Sequence, residues 1–359
     1  MQNESALSEG KKPRGCWLLA LRVLVGLLVV VALLLVFTTV RASVLDPRAL
    51  GGPMPDSSLM VDIGGRDVHL IAMGLENDGP AVVLLPCLNC GSIYWQLVQP
   101  ELAETMRVYA FDPAGFAWSQ PRPDRLNVAN AADDLHDALV ALGEEEIVLV
   151  AYSGSGITAL NYLDRYDEPR VLGLVSMEAE LFSETGEAAF GGGQPFLPPG
   201  VQRGATALGV GRVYFEALMM PGARETFTPT ASSSPLYDVD AINRLAATYP
   251  TRKVLYAAID IEATYGEAVR QSSGLTVPGD IPVFAIDCDW APNFERLSEK
   301  QARQLRDDEA RRASIWRALA ENSPDGRYIE VEDATHFLPV ERPEVPVEVI
   351  GAMWELVQR

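Results

Sequence analysis

The sequence predicts an α/β fold: a mostly parallel sheet covered by helices on both faces, with an inserted helical lid and one transmembrane helix in front. Three observations predict it. From residue 60 onward, short and wholly apolar runs alternate with amphipathic stretches, the pattern of parallel strands buried on both faces. About 100 residues interrupt that rhythm between two strands, which is too long for a simple loop. Residues 23–40 carry no charged side chain, long enough for a helix to cross a hydrocarbon core.

The N-terminal segment comes first. Within residues 17–40 the one charge is Arg22, near an end, where its long stem reaches the headgroups. Lys11, Lys12 and Arg14 precede the run, so the positive-inside rule leaves residues 1–16 as a cytoplasmic tail. The run exceeds the apolar core of a cleaved signal peptide, and Thr39-Val40-Arg41-Ala42-Ser43 is a poor small-x-small cleavage site. The expectation is an anchor over 17–40, a linker over 41–59 and a domain over 60–359 on the extracytoplasmic side, the lid spanning about 179–281.

Within the domain, residues 60–63 and 68–73 read as a hairpin around Gly64-Gly65. Residues 81–85 are a continuous apolar strand, 93–104 suit a helix, 107–111 a strand and 128–142 an amphipathic helix. Residues 146–150 form the next buried strand, followed by a helix over 154–166 and a strand over 171–177. Residues 183–205 are rich in Gly and Pro and lack periodicity, whereas 236–272 look helical. Strands at 283–286 and 328–331 and a helix over 344–358 complete the pattern.

Composition narrows the partners. Hydrophobic residues make up 48%, ample for a large core, and the net charge of -20 disfavours nucleic acid. Four cysteines in 359 residues are no disulfide scaffold. Cys87 and Cys90 form one C-x-x-C; without a second, and with three histidines in all, a structural zinc is not expected. A local disulfide there suits a domain outside the cytoplasm, and a thiol-based activity is a minor alternative.

Ligands of an open parallel sheet bind beyond the carboxyl ends of its strands. At one such end, Val148-Leu149-Val150-Ala151-Tyr152-Ser153-Gly154-Ser155-Gly156 runs from a strand through a turn of small residues into a helix. A serine there has its hydroxyl exposed, but it is a weak nucleophile until a base takes its proton. His69 lies in an early strand and His136 in an amphipathic helix, which leaves His336 as the base.

These segments resemble the α/β-hydrolase superfamily, over residues 60–180 and 280–358. The turn resembles its G-x-S-x-G elbow, with Ala151 and Ser155 in place of the outer glycines. Asp333-Ala334-Thr335-His336-Phe337 resembles its G-x-x-H-F loop, and Glu341-Arg342-Pro343-Glu344 the start of its last helix. Asp112-Pro113-Ala114-Gly115-Phe116-Ala117-Trp118-Ser119 resembles its D-x-x-G-x-G-x-S turn, which gives Asp112 a structural role. Pro86-Cys87 replaces the frequent His-Gly; Ser92, Trp95 and Gln99-Pro100 are similar to a subgroup with a glycine-rich loop there.

The resemblance implies a serine hydrolase acting through an acyl-enzyme on an ester-like bond, amides included, of a small apolar substrate, without metal or organic cofactor. It implies backbone oxyanion donors at Gly154 and in the turn after Leu85, where Leu88 is favoured and Asn89 is its neighbour. The acid that orients the histidine follows the strand beginning at Pro282, which offers Asp289 or Asp287, or else the preceding strand, which offers Glu178. Relatives that open epoxides or dehalogenate use an aspartate nucleophile, and Ser153 argues against both. The departures at Ala151, Ser155 and Pro86-Cys87 keep open a non-catalytic binding protein on the same scaffold. Phe182, Phe196, Tyr214 and Phe215 make an apolar pocket in the lid conceivable, and the sequence leaves the oligomeric state open.

Overall fold

The computed structural model describes residues 14–179, 197–219, 238–289 and 298–359. One eight-stranded sheet runs in the order β1-β2-β4-β3-β5-β6-β7-β8. Its strands are β1 (Ser58–Asp62), β2 (Asp67–Met73), β3 (Ala81–Leu85), β4 (Val108–Phe111), β5 (Glu146–Tyr152), β6 (Arg170–Met177), β7 (Val283–Cys288) and β8 (Arg327–Val331). The β1–β2 and β2–β4 pairs are antiparallel and every later pair is parallel. The chain adds β4 on one side of β3 and β5 on the other. That reversal opens a crevice beyond the carboxyl ends of β3 and β5, where ligands of such sheets lie.

The sheet is buried on both faces because its central strands have no polar side. Along β5, Ile147, Leu149 and Ala151 point into one core with Leu135 and Leu139 of α3 (Ala131–Leu142) and Leu160 of α4 (Ser155–Arg165). Val148, Val150 and Tyr152 point into the other, with Leu102 of α2 (Gln99–Leu102) and Ile350 and Met353 of the closing helix, Glu344–Val357. This alternation is the period of two that a strand imposes.

The predicted helix over 93–104 divides into a 3-10 turn, Ser92–Trp95, and the short α2. Pro100 has no N–H and its ring crowds the preceding turn, so one continuous helix cannot form.

Two larger differences bear on function. The expected linker over 41–59 begins as helix, since α1 runs unbroken over Arg14–Leu50. Ala42 is fully buried, Asp46 pairs with Arg212 and Arg252 at 2.7 Å each, and Trp118 donates its indole N–H to Leu50 O at 3.0 Å. These contacts hold the last turns against the domain. The expected tail over 1–16 overlaps the start of α1, and residues 1–13 lie outside the described residues.

The lid holds α5 (Pro199–Ala207), α6 (Val210–Tyr214) running into a π turn (Phe215–Met219), α7 (Val239–Thr248) and α8 (Arg252–Ser272). Phe182 and Phe196 fall outside the described residues. The second difference is a helix that the sequence did not suggest, α9 (Glu299–Asn322), packed on β7 and β8 with Trp316 buried. After it come α10 (Leu338–Glu341) and the closing α11 (Glu344–Val357).

Candidate active site

β5 continues in register with β6 as far as Tyr152, and the N–H of Ser153 still donates to Met177 O at 3.1 Å. At Ser153 the backbone turns into the left-handed region, φ 58°, and α4 starts two residues later. A non-glycine residue rarely occupies that region, and here it lifts the serine out of the strand–helix junction. Ser155, where the family elbow has glycine, accepts the Tyr152 N–H and donates to Tyr152 O, both at 2.8 Å. Its hydroxyl satisfies strand-end groups that the turn would otherwise strand.

Ser153 Oγ lies 2.8 Å from His336 Nε2, so the hydroxyl can donate to an unprotonated ring nitrogen. His336 sits in the loop after β8. Glu341 of α10 accepts from the Thr335 N–H (3.0 Å) and hydroxyl (2.6 Å), and Tyr152 donates its phenol O–H to His336 O at 2.5 Å. Strand β5 thus carries the serine and also grips the histidine loop.

The carboxylate facing His336 Nδ1 is that of Glu178, with Oε2 at 3.4 Å. Glu178 ends β6 in a left-handed conformation, φ 49°, and its own N–H donates to Ile286 O at 2.9 Å. Fully buried, the carboxylate accepts the Cys288 N–H and two guanidinium contacts from Arg312 of α9, at 3.0 and 3.1 Å. Burial pushes its pKa up, but Arg312 and His336 outweigh that and hold it at about 2. The group is therefore an anion throughout the neutral range. Asp287 faces the same guanidinium at 3.2 Å, and burial pushes its pKa up.

Asp289, the first choice for the acid on sequence grounds, lies against backbone donors of the histidine loop. Its carboxylate accepts the N–H groups of Asp333 (3.0 Å) and Ala334 (3.3 Å), tying the end of β7 to the histidine loop. The loop is short, so the aspartate caps backbone donors three and two residues before His336. Arg312 was not anticipated. One arginine among the several in α9 carries no mark of burial in the sequence.

Leu88 and Gly154 face one another. A Cβ built on Gly154 would lie 3.1 Å from Leu88 Cβ and 3.6 Å from its Cα, ordinary to tight contact across a narrow gap. Neither residue's N–H donates to an acceptor among the described residues. Two unspent donors beside a serine hydroxyl fit an oxyanion site. The loop that carries Leu88 is closed by a Cys87–Cys90 disulfide and stayed from the lid, where Tyr249 accepts the Gly91 N–H at 2.7 Å and Glu262 accepts from Asn89 Nδ2 at 3.3 Å.

The remaining histidines lie elsewhere. His136 stacks on Tyr166, ring centroids 3.8 Å apart. His69 is fully buried between Asp112 Oδ2 (2.7 Å, at Nδ1) and Ser58 Oγ (2.8 Å, at Nε2). Asp112 also accepts the N–H and hydroxyl of Ser92, at 2.7 and 2.8 Å.

The model of the α/β-hydrolase-fold family matches residues 80–197, the stretch that contains the β3 loop and the turn at Ser153. Together with the order of the strands, that match decides the fold. The chain has the α/β-hydrolase fold. A search of curated proteins finds no sequence match. Among solved structures, a thermophilic esterase from Thermogutta terrifontis is similar at 18% identity and TM-score 0.53, covering 84% of this chain and 99% of its own. The epoxide hydrolase CorEH is similar at 18% and 0.52, with 84% and 99% covered. A bromoperoxidase from Bacillus anthracis follows at 16% and 0.54, with 83% and 100% covered. At such identities the likeness is one of fold, and the chemistry of this hydrolase-fold chain has to be argued from its own site.

Proposed function

We propose that this protein is a serine hydrolase that cleaves an ester-like bond of a small apolar substrate through an acyl-enzyme. The observation that carries the reading is the relay from Ser153 Oγ to His336 Nε2 at 2.8 Å and from His336 Nδ1 to Glu178, set on a left-handed turn at the crevice. Ser153 attacks the carbonyl carbon while its proton passes to Nε2. The imidazolium that forms is balanced by Glu178, which Arg312 keeps fixed and ionised against the cost of burial. The carbonyl oxygen, now an oxyanion, takes the N–H groups of Leu88 and Gly154. Collapse breaks the bond to the leaving group, which carries off the proton from Nε2; water then repeats the sequence and frees the acid.

The comparisons include an enzyme named for esters and one named for epoxides. The serine at the turn favours the former, because a hydroxyl attacking a carbonyl yields an acyl ester that water hydrolyses by the same route.

Residues 17–40 serve in this reading as a membrane anchor with the catalytic domain on the extracytoplasmic side. Support comes from an 18-residue stretch of mean hydropathy 3.1 within the helix Trp17–Leu50, none of it buried, from the flanking basic residues, and from the Cys87–Cys90 disulfide, a bond of oxidising compartments.

Ser153→Ala should abolish hydrolysis of a short p-nitrophenyl ester and labelling by a fluorophosphonate, with an unchanged melting temperature. Retained hydrolysis in the folded variant, or a wild-type protein that neither labels nor turns over, would overturn the proposal.

A further inference from the structure

Between α5 and the π turn the lid is inside out. Every exposed position within residues 197–218 is Gly, Ala, Pro, Val, Leu or Tyr. Val201, Leu208, Val210, Val213, Tyr214 and Leu218 are 38–64% exposed. Among the polar side chains of the same segment, Thr206 and Arg212 are buried, Arg212 pairs with Asp46 and Glu216, and the partly exposed Arg203 reaches Asp260 at 2.5 Å. A helix on a water-facing surface has the opposite arrangement. Elsewhere on the domain, exposed apolar residues such as Leu75, Val140 and Ile315 stand singly, which is ordinary.

The N-terminal helix says what covers this face. Leu208 O, in the turn between α5 and α6, accepts the hydroxyls of Thr38 (2.7 Å) and Thr39 (3.1 Å). The approach is close enough to demand Gly209, φ 74°, where a Cβ would meet the Thr38 carbonyl oxygen. Thr38 and Thr39 are the last turn of the charge-free run, and Arg41 just beyond it pairs with Glu216 at 2.6 Å. Eighteen charge-free residues span about 27 Å at 1.5 Å per residue, against a hydrocarbon core of about 30 Å. The run has no length to spare, so the lipid–water boundary falls near residue 40, at the level of Leu208.

We infer that the apolar face of α5, α6 and the π turn is seated in the interfacial layer of the bilayer that α1 crosses, and that the Ser153 cleft takes acyl esters partitioned in that layer. The inference rests on α1 as anchor and Ser153 as nucleophile. The lid that meets the lipid also stays the oxyanion loop through Tyr249 and Glu262, so face and site belong to one packed unit. With the chain at -20, zwitterionic lipid is the fitting partner and anionic lipid is not.

The test uses the full chain in phosphatidylcholine vesicles, in a Cys16→Ser background. A nitroxide is attached at Val213→Cys, with Val30→Cys in α1 and Val140→Cys in α3 as references. The Val213 probe should be relaxed more by oxygen than by a water-soluble nickel chelate, as at Val30, with the reverse at Val140. A water-like Val213 beside a lipid-like Val30 overturns the docking; a water-like Val30 removes the anchor reading and the inference with it. Val213→Asp with Leu218→Asp, both at exposed positions, should cost about tenfold or more in kcat/KM on a long-chain p-nitrophenyl ester dissolved in the vesicles. Turnover of p-nitrophenyl acetate should stay within about twofold. Equal effects on the two esters overturn the substrate assignment, whereas a wild type that fluorophosphonate does not label fails the hydrolase reading instead.

Discussion

Two serine–histidine–carboxylate chains run through this molecule, Ser58–His69–Asp112 and Ser153–His336–Glu178. In both, a hydroxyl lies 2.8 Å from imidazole Nε2, and the carboxylate contact at Nδ1 is shorter in the first, 2.7 Å against 3.4 Å. Judged by side-chain distances alone, the first is the better triad. The backbone reverses that ranking. Ser58 opens an extended strand whose ladder pairs it with Ile71, and His69 is sealed within β2. Ser153 stands on a left-handed turn at the crevice, beside two N–H groups that donate to no acceptor among the described residues. Nucleophilic chemistry needs somewhere for the developing charge to go, and in the proposed reading the donors beside Ser153 supply it.

The largest expected contrast lies between the serines. Ser153→Ala should lower kcat on a soluble ester by on the order of 10^4-fold or more, and Ser58→Ala by no more than about twofold. Comparable losses in the two would erase the distinction. Next come the carboxylates: Glu178→Gln should cost on the order of 10^2- to 10^4-fold in kcat. Asp289→Asn, which loosens only the loop, should cost about tenfold or less. Steady-state kinetics in the reverse order would return the acid to the β7 loop.

The buried pair answers to stability instead. His69→Ala should leave Asp112 without its ring partner and lower unfolding free energy in urea by on the order of 2–4 kcal/mol, while the fraction that remains folded keeps its turnover. The smallest effect is one of pH. Glu178 titrates near 2 when folded against an ordinary value of 4.5, so its stabilisation is complete above about 4.5 and is lost as pH falls through about 2. Urea unfolding between pH 5 and 2.5 should show a steeper loss for the wild type than for Glu178→Gln. Parallel profiles would mean that Arg312 does not hold the anion as described.

The sequence carried the parts of this site that local pattern determines. A buried strand followed by Tyr152-Ser153-Gly154 and a helix marks a turn by its small residues, and His336 stood out because the chain has three histidines and two lie inside regular elements. The carboxylate that faces His336 was not legible. Asp289 and Glu178 end adjacent parallel strands at the same edge, and which carboxylate reaches a ring depends on loop length and on the guanidinium beside it. That guanidinium comes from α9, far along the chain, and nothing in its neighbourhood distinguishes Arg312 from Arg311. Residues 41–50 misled for a related reason. The apolar run stops at Arg41, but the helix does not, because Asp46 and Ala42 find partners in the lid rather than in water.

That unbroken helix has a kinematic consequence. A tether of coil lets a domain tumble through a hemisphere above its attachment point and sample solutes in three dimensions. If α1 crosses a bilayer as proposed, with Thr38 to Leu50 bolted to the lid and to Trp118, rotation about the membrane normal is the freedom that remains. The enzyme then searches a plane, and its encounter rate scales with the surface density of substrate rather than with bulk concentration.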